Sequence, residues 1–126
     1  MTVTSAVNKY GVEVGDLFAC HWGYDQSNWN FYRVVRVTAT KAEVTPVKRV
    51  LVESDGPNDK VTGGHEPAEY DVLVGIGRED TKRTKLCTVK TGYKGQPTLV
   101  LRSGQYWANK VDEGATFHET GYGWGH

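Results

Sequence analysis

The sequence predicts an all-β, mainly antiparallel fold: a small barrel or strongly bent sheet of SH3-like style, with little helix. Three observations predict it. Short runs of β-branched and aromatic residues recur along the chain, no window carries an apolar stripe at helical spacing, and 15 glycines punctuate the runs. A chain of 126 residues fits one domain, 1–126, that buries about two thirds of its unfolded surface without metal or disulfide support.

The first strand is expected at Leu17-Phe18-Ala19-Cys20-His21-Trp22, entered from a Gly15-Asp16 turn. The run from Phe31 to Thr38 is the second and Ala42 to Val52 the third, joined by a hairpin at Thr38–Lys41. Three sequential antiparallel strands are the simplest arrangement. In the third, Val44, Pro46, Lys48, Val50 and Val52 fall on one face, and Pro46 makes it an edge strand or bulges it there. Later strands are expected at Lys85–Lys90, Thr98–Arg102, Tyr106–Ala108 and Ala115–Glu119, with a turn at Gly92–Gln96. Residues Ser54 to Tyr70, rich in Gly, Pro, Asn and Asp, read as a long surface loop.

Composition excludes several classes. Charged residues are 24% and net charge is zero, so the chain is neither disordered by composition nor drawn to nucleic acid or membrane by a global field. There is no signal-peptide pattern at Met1–Tyr10 and no apolar run long enough to cross a bilayer, so the expectation is a cytoplasmic protein with Cys20 and Cys87 reduced. Charge is nevertheless segregated. Every charged residue from Thr81 to Val111 is basic (Lys82, Arg83, Lys85, Lys90, Lys94, Arg102, Lys110), after a more acidic Glu53–Asp80 stretch. That split would build a basic face for an anion, or the two segments neutralise each other.

The most informative segment is Trp22-Gly23-Tyr24-Asp25-Gln26-Ser27-Asn28-Trp29-Asn30-Phe31-Tyr32. Aromatics give flat surfaces at low entropy cost, and carboxamides supply paired donors and acceptors that match a base edge or a peptide. The competing reading is structural: Trp22, Phe31 and Tyr32 cap the barrel while Asp25 and the asparagines fold the turn.

This segment resembles a motif of short uncharacterised proteins of bacteriophages and mobile elements. The pattern runs Gly-Asp-hydrophobic-Phe, then Trp-Gly-Tyr-Asp-Gln-x-Asn-x-x-Phe-Tyr-x-Val-Val, matched by Gly15–Phe18 and Trp22–Val35. Gly92-Tyr93, Tyr106-Trp107 and the closing Thr120–His126 are similar too, whereas Ser54–Tyr70 has no counterpart. The departure is Trp29-Asn30, where the pattern has smaller or acidic residues. The resemblance implies a phage or mobile-element context, hence a host-cell cytoplasm, and no settled activity.

Other chemistry is set aside. His21, His65, His118 and His126 fit no common zinc spacing, and adjacent Cys20 and His21 point to opposite faces of a strand, so no metal is expected. Cys87 shares a face with Val89 and reads as a buried thiol. Gly75-Ile76-Gly77 fails as a dinucleotide fingerprint because no third glycine or helix follows. No cofactor and no catalytic constellation emerge.

The expectation is a non-enzymatic binding protein. For a small-molecule ligand such as a nucleotide signal of host defence, Trp22, Tyr24 or Trp107 would stack on the base. Gln26 and Asn28 would read its edge and Lys90 or Arg102 would meet phosphate, with Asp25, Tyr32 and Tyr106 as further candidate ligand-binding residues. Tyr122, Trp124 and the terminal His126 would dock back against the sheet and line the pocket. The alternatives are a module that binds a host protein through exposed aromatics, and a binder of single-stranded nucleic acid. Self-association into a homo-oligomer is left open.

Overall fold

The computed structural model describes residues 10–22, 28–55, 58–68, 84–92, 95–101 and 104–120. Eight strands run in chain order: β1 Leu17–Trp22, β2 Asn28–Val37, β3 Lys41–Asp55, β4 Asn58–Pro67, β5 Lys85–Thr91, β6 Pro97–Leu101, β7 Tyr106–Val111 and β8 Phe117–Thr120. All pairings are antiparallel, and the described residues contain no α-helix. β1, β2, β3, β5, β6 and β7 close on themselves through the β2–β3 pairing, giving a six-stranded barrel of the all-β class that the sequence predicts. The turn at Thr38–Lys41 and the sequential β1–β2–β3 arrangement are as expected, with Thr38 N–H bonded to the Lys41 carbonyl.

Period-two alternation fills the barrel. Phe18 and Cys20 of β1 face inward with Tyr32 and Val34 of β2, Ala42 and Val44 of β3, Cys87 and Val89 of β5, Leu99 and Leu101 of β6 and Ala108 of β7. The segment leading into β1 adds the fully buried Val12 and the flanking Tyr10. Hydrogen bonds between Gly15 and Val34, and between Val34 and Asp16, fasten that segment where β1 begins.

The opposite face of β1 and β2 is covered as well. β3 runs past the barrel and forms a hairpin with β4, which in turn pairs with β8. This arm lies over Leu17, Ala19 and Phe31, and Val47 and Val61 complete a second core with Trp29, Val111 and Phe117 around it. Rings of Trp29 and Phe117 approach to 4.3 Å between centroids. Double-sided burial explains why β1 opens as an uninterrupted apolar run.

Three expectations are corrected here. Ser54–Tyr70 is not a long loop, since most of it is the β4 strand from Asn58 to Pro67. Its glycines hid it. A Cβ at Gly63 would stand 2.7 Å from Leu17 Cδ1 and 3.1 Å from Phe31 Cδ1, so only glycine lets β4 approach the outer core this closely. Gly63→Ala is therefore expected to lower stability by about 1–3 kcal/mol through overpacking, measured as a shifted urea midpoint at unchanged slope.

Second, the β3 alternation does not run unbroken from Val44 to Val52. Register shifts between Val47 and Arg49 and between Leu51 and Glu53 bury Val47 and leave Val50 and Val52 exposed. Pro46, fully buried, sits where β3 exchanges β5 for β4 as neighbour, so its missing donor falls in the gap between partners. Third, the last strand is Phe117–Thr120, two residues later than its predicted start.

Arg33 ties barrel and arm together. It projects outward from β2 with 8% exposure. Its Nε donates to the Gly64 carbonyl at 2.7 Å, Nη1 donates to the Gly15 carbonyl at 3.2 Å, and both terminal nitrogens grip the Glu113 carboxylate at 2.7 Å.

Candidate functional site

Each β1 residue selects a partner of the same face through register: Phe18 with Tyr32, Cys20 with Asn30, Trp22 with Asn28. The first of these pairs is deep in the barrel, and both rings are fully buried. The last is at the rim, where Trp22 and Asn28 are each half-buried. On the other side β7 pairs with β1 from Leu17↔Val111 to Ala19↔Asn109, and Trp22 and Tyr106 both pack against the interior cluster. Tyr106 itself pairs with Leu101 of β6. Asn28 and Trp22 therefore form one cross-strand row, and Tyr106 and Leu101 a second.

Within these rows the polar groups divide into fixed and unpaired. The Trp22 indole N–H donates to Asn30 Oδ1 at 2.8 Å, which fixes the ring plane from the next rung inward. Among the described residues, neither the Asn28 carboxamide nor the Tyr106 hydroxyl has a hydrogen-bond partner. A half-buried amide and phenol without partners are poised to bond something that arrives. Lys85 completes the setting. It shares the parity of Cys87 and Val89, pairs with Val44 at the start of β5, and is exposed.

Of the sequence-predicted residues, the structure pairs Trp22 with Asn28 across β1 and β2, and Trp22 and Tyr106 both pack against the interior cluster. Tyr32 does not join them as a ligand contact. Its ring is completely buried in the interior cluster, flanked by Phe18 and Pro46, because its place on β2 is two rungs below the rim. Trp107 is on the outer face, half-exposed, with its indole N–H bonded to the Gly104 carbonyl at 2.9 Å, since alternation with the buried Ala108 turns it away from the interior. Lys90 is exposed beside Thr98 on that outer face and away from Trp22. Tyr24, Asp25, Gln26, Arg102, Tyr122, Trp124 and His126 lie outside the described residues, as do Val72–Gly77.

The basic run between Thr81 and Val111 builds no single face among the described residues. Lys85 is exposed at the start of β5, Lys90 faces outward, and Lys110 is paired with Asp16 at 3.2 Å. Cys20 and Cys87 are both buried and unbridged, and His21 stacks on Trp29 at 4.8 Å on the face opposite Cys20. Among the described residues no group of three or more His, Cys, Asp or Glu side chains could hold a metal, and no helix is long and apolar enough to cross a membrane.

Two residues of this setting escaped the sequence reading. Asn30 is one turn of the alternation inward from Asn28, and its role needs the β1–β2 register that pairs it with Cys20. Lys85 stood in the basic run, and the parity it shares with Cys87 was the signal that separates it from Lys90.

Compared with known proteins, the chain matches no family model, no curated protein and no solved structure.

Proposed function

We propose that this chain is a non-enzymatic binding protein that holds a flat heteroaromatic ligand, nucleotide in type, at the Trp22–Asn28 rim of its barrel. One observation carries the reading: an indole clamped by Asn30 stands across from a carboxamide that has no partner among the described residues. A ring held in a fixed plane loses little freedom when a base stacks on it. The exposed ammonium of Lys85 at the start of β5 suits a phosphate. In the phage or mobile-element setting that the Trp22–Val35 motif suggests, the work of such a protein is to sequester a nucleotide signal of host defence.

Calorimetry of the full chain against linear and cyclic nucleotides tests this, with Trp22→Ala as the companion variant. Loss of the stacking ring is expected to weaken binding roughly 5- to 150-fold, the equivalent of about 1–3 kcal/mol, while the thermal melt of the variant stays cooperative. A variant that binds as tightly as the parent chain contradicts the assignment.

A second reading has an observation of its own. Val50, Leu51 and Val52 are 48, 58 and 52% exposed on the β3 arm, and Trp107 is 51% exposed on the barrel wall. Apolar groups at the surface are what a host-protein interface uses. Stoichiometric capture of one host protein, lost on Leu51→Lys and kept on Trp22→Ala, would favour it over the rim.

A further inference from the structure

We propose that the rim selects an adenine-type base and that Asn28 is the residue that makes the selection. This deepens the nucleotide reading above and rests on it. Asn28 and Asn30 stand on the same face of β2 and differ in what they are free to do. The Asn30 oxygen accepts the Trp22 indole N–H, so Asn30 positions the stacking ring. Asn28 pairs with Trp22 across the strands, so its Cβ is about 5 Å from that of the indole-bearing residue. A base lying on the indole would present its edge to the neighbouring carboxamide, which has no partner among the described residues.

A carboxamide offers one acceptor and one donor side by side. Adenine shows an amino donor beside a ring-nitrogen acceptor on its Hoogsteen edge, and again on its Watson–Crick edge, so either orientation gives two hydrogen bonds. Guanine fits less well. Its Hoogsteen edge is two acceptors, which sets the carboxamide oxygen against a lone pair, and its Watson–Crick edge leaves the 2-amino group without a partner.

Replacing Asn28 by aspartate converts donor-plus-acceptor into two acceptors of nearly the same size. Two acceptors match the N1–H and 2-amino donors of guanine and repel the ring nitrogen of adenine. The test is calorimetry with adenosine and guanosine monophosphate on the full chain, Asn28→Asp and Asn28→Leu, each checked by thermal melt. The parent chain is expected to favour the adenine nucleotide about tenfold or more. Asn28→Asp is expected to invert that preference, and Asn28→Leu to bring the ratio close to one. Nucleotide binding with the same base preference in all three proteins overturns the role of Asn28 while leaving the rim reading intact. A folded parent chain that binds neither nucleotide overturns the nucleotide reading itself, and the selection with it.

Discussion

Arg33→Met is expected to lower folding stability by about 2–4 kcal/mol, and the melting temperature by about 10 °C. The side chain is almost fully buried, yet it carries a charge and bonds to groups from three separate segments. Methionine fills a similar volume, so the loss is not a cavity. What is lost are charged hydrogen bonds to the Gly64 and Gly15 carbonyls, and the removal leaves those acceptors without their donor. The Glu113 side chain is 63% exposed, so its share of the pairing is screened and counts for less.

That share can be read separately through pH. Hydrogen bonds from Arg33 hold the Glu113 carboxyl below its ordinary value of 4.5; burial opposes them, and the charges of Arg33 and His65 add to the lowering. A carboxyl whose folded value is depressed stabilises the fold above the unfolded value and stops doing so as pH falls through the folded one. Glu113→Gln is therefore expected to be less stable than the parent chain near neutral pH, and the difference should close in acid below the ordinary carboxylate value. Urea titrations across that range measure it. A difference that widens in acid contradicts the assignment.

Tyr32→Ala is expected to have the largest effect on stability, about 3–5 kcal/mol. Tyr32 heads the fully buried side chains and lies between Phe18 of β1 and Pro46 of β3, so truncation opens a hole that two neighbouring strands cannot close. A marginal domain can lose most of its folded population this way. Guanidinium denaturation of the variant provides the measure, and a loss under about 1 kcal/mol would mean that the ring is not packed as described.

The contrast between Tyr32 and Trp22 shows what was legible in the sequence. Both belong to one aromatic and carboxamide segment, and composition marks that segment without ranking its members. Position along β2 ranks them, because each rung inward from Asn28 moves a side chain closer to the sealed interior. Strand alternation was readable: it put Cys87 in the core and Cys20 and His21 on opposite faces, of which the structure buries the Cys20 face in the barrel. The same alternation, applied to Tyr106-Trp107-Ala108, separates Tyr106 from Trp107 once Ala108 is seen to be buried.

The arm was not legible for a different reason. Gly63 and Gly64 have poor strand propensity, and their presence in β4 is explained only by the approach to Leu17 and Phe31 and by the bond from Arg33 to the Gly64 carbonyl. Arg33 is a cation between Phe31-Tyr32 and Val34-Val35, and the sequence reading did not single it out. Its partner Glu113 is 80 residues away, a separation no local pattern bridges.

The most direct measurement is a nitrogen-15 NMR titration of the four indole N–H resonances with adenosine monophosphate. Assignment would come from single Trp→Phe variants. The account predicts that the Trp22 indole and the Asn28 carboxamide shift together and saturate on one binding curve, while the Trp107 indole, on the outer wall, stays in place. Movement of Trp107 with Trp22 and Asn28 unmoved would contradict it.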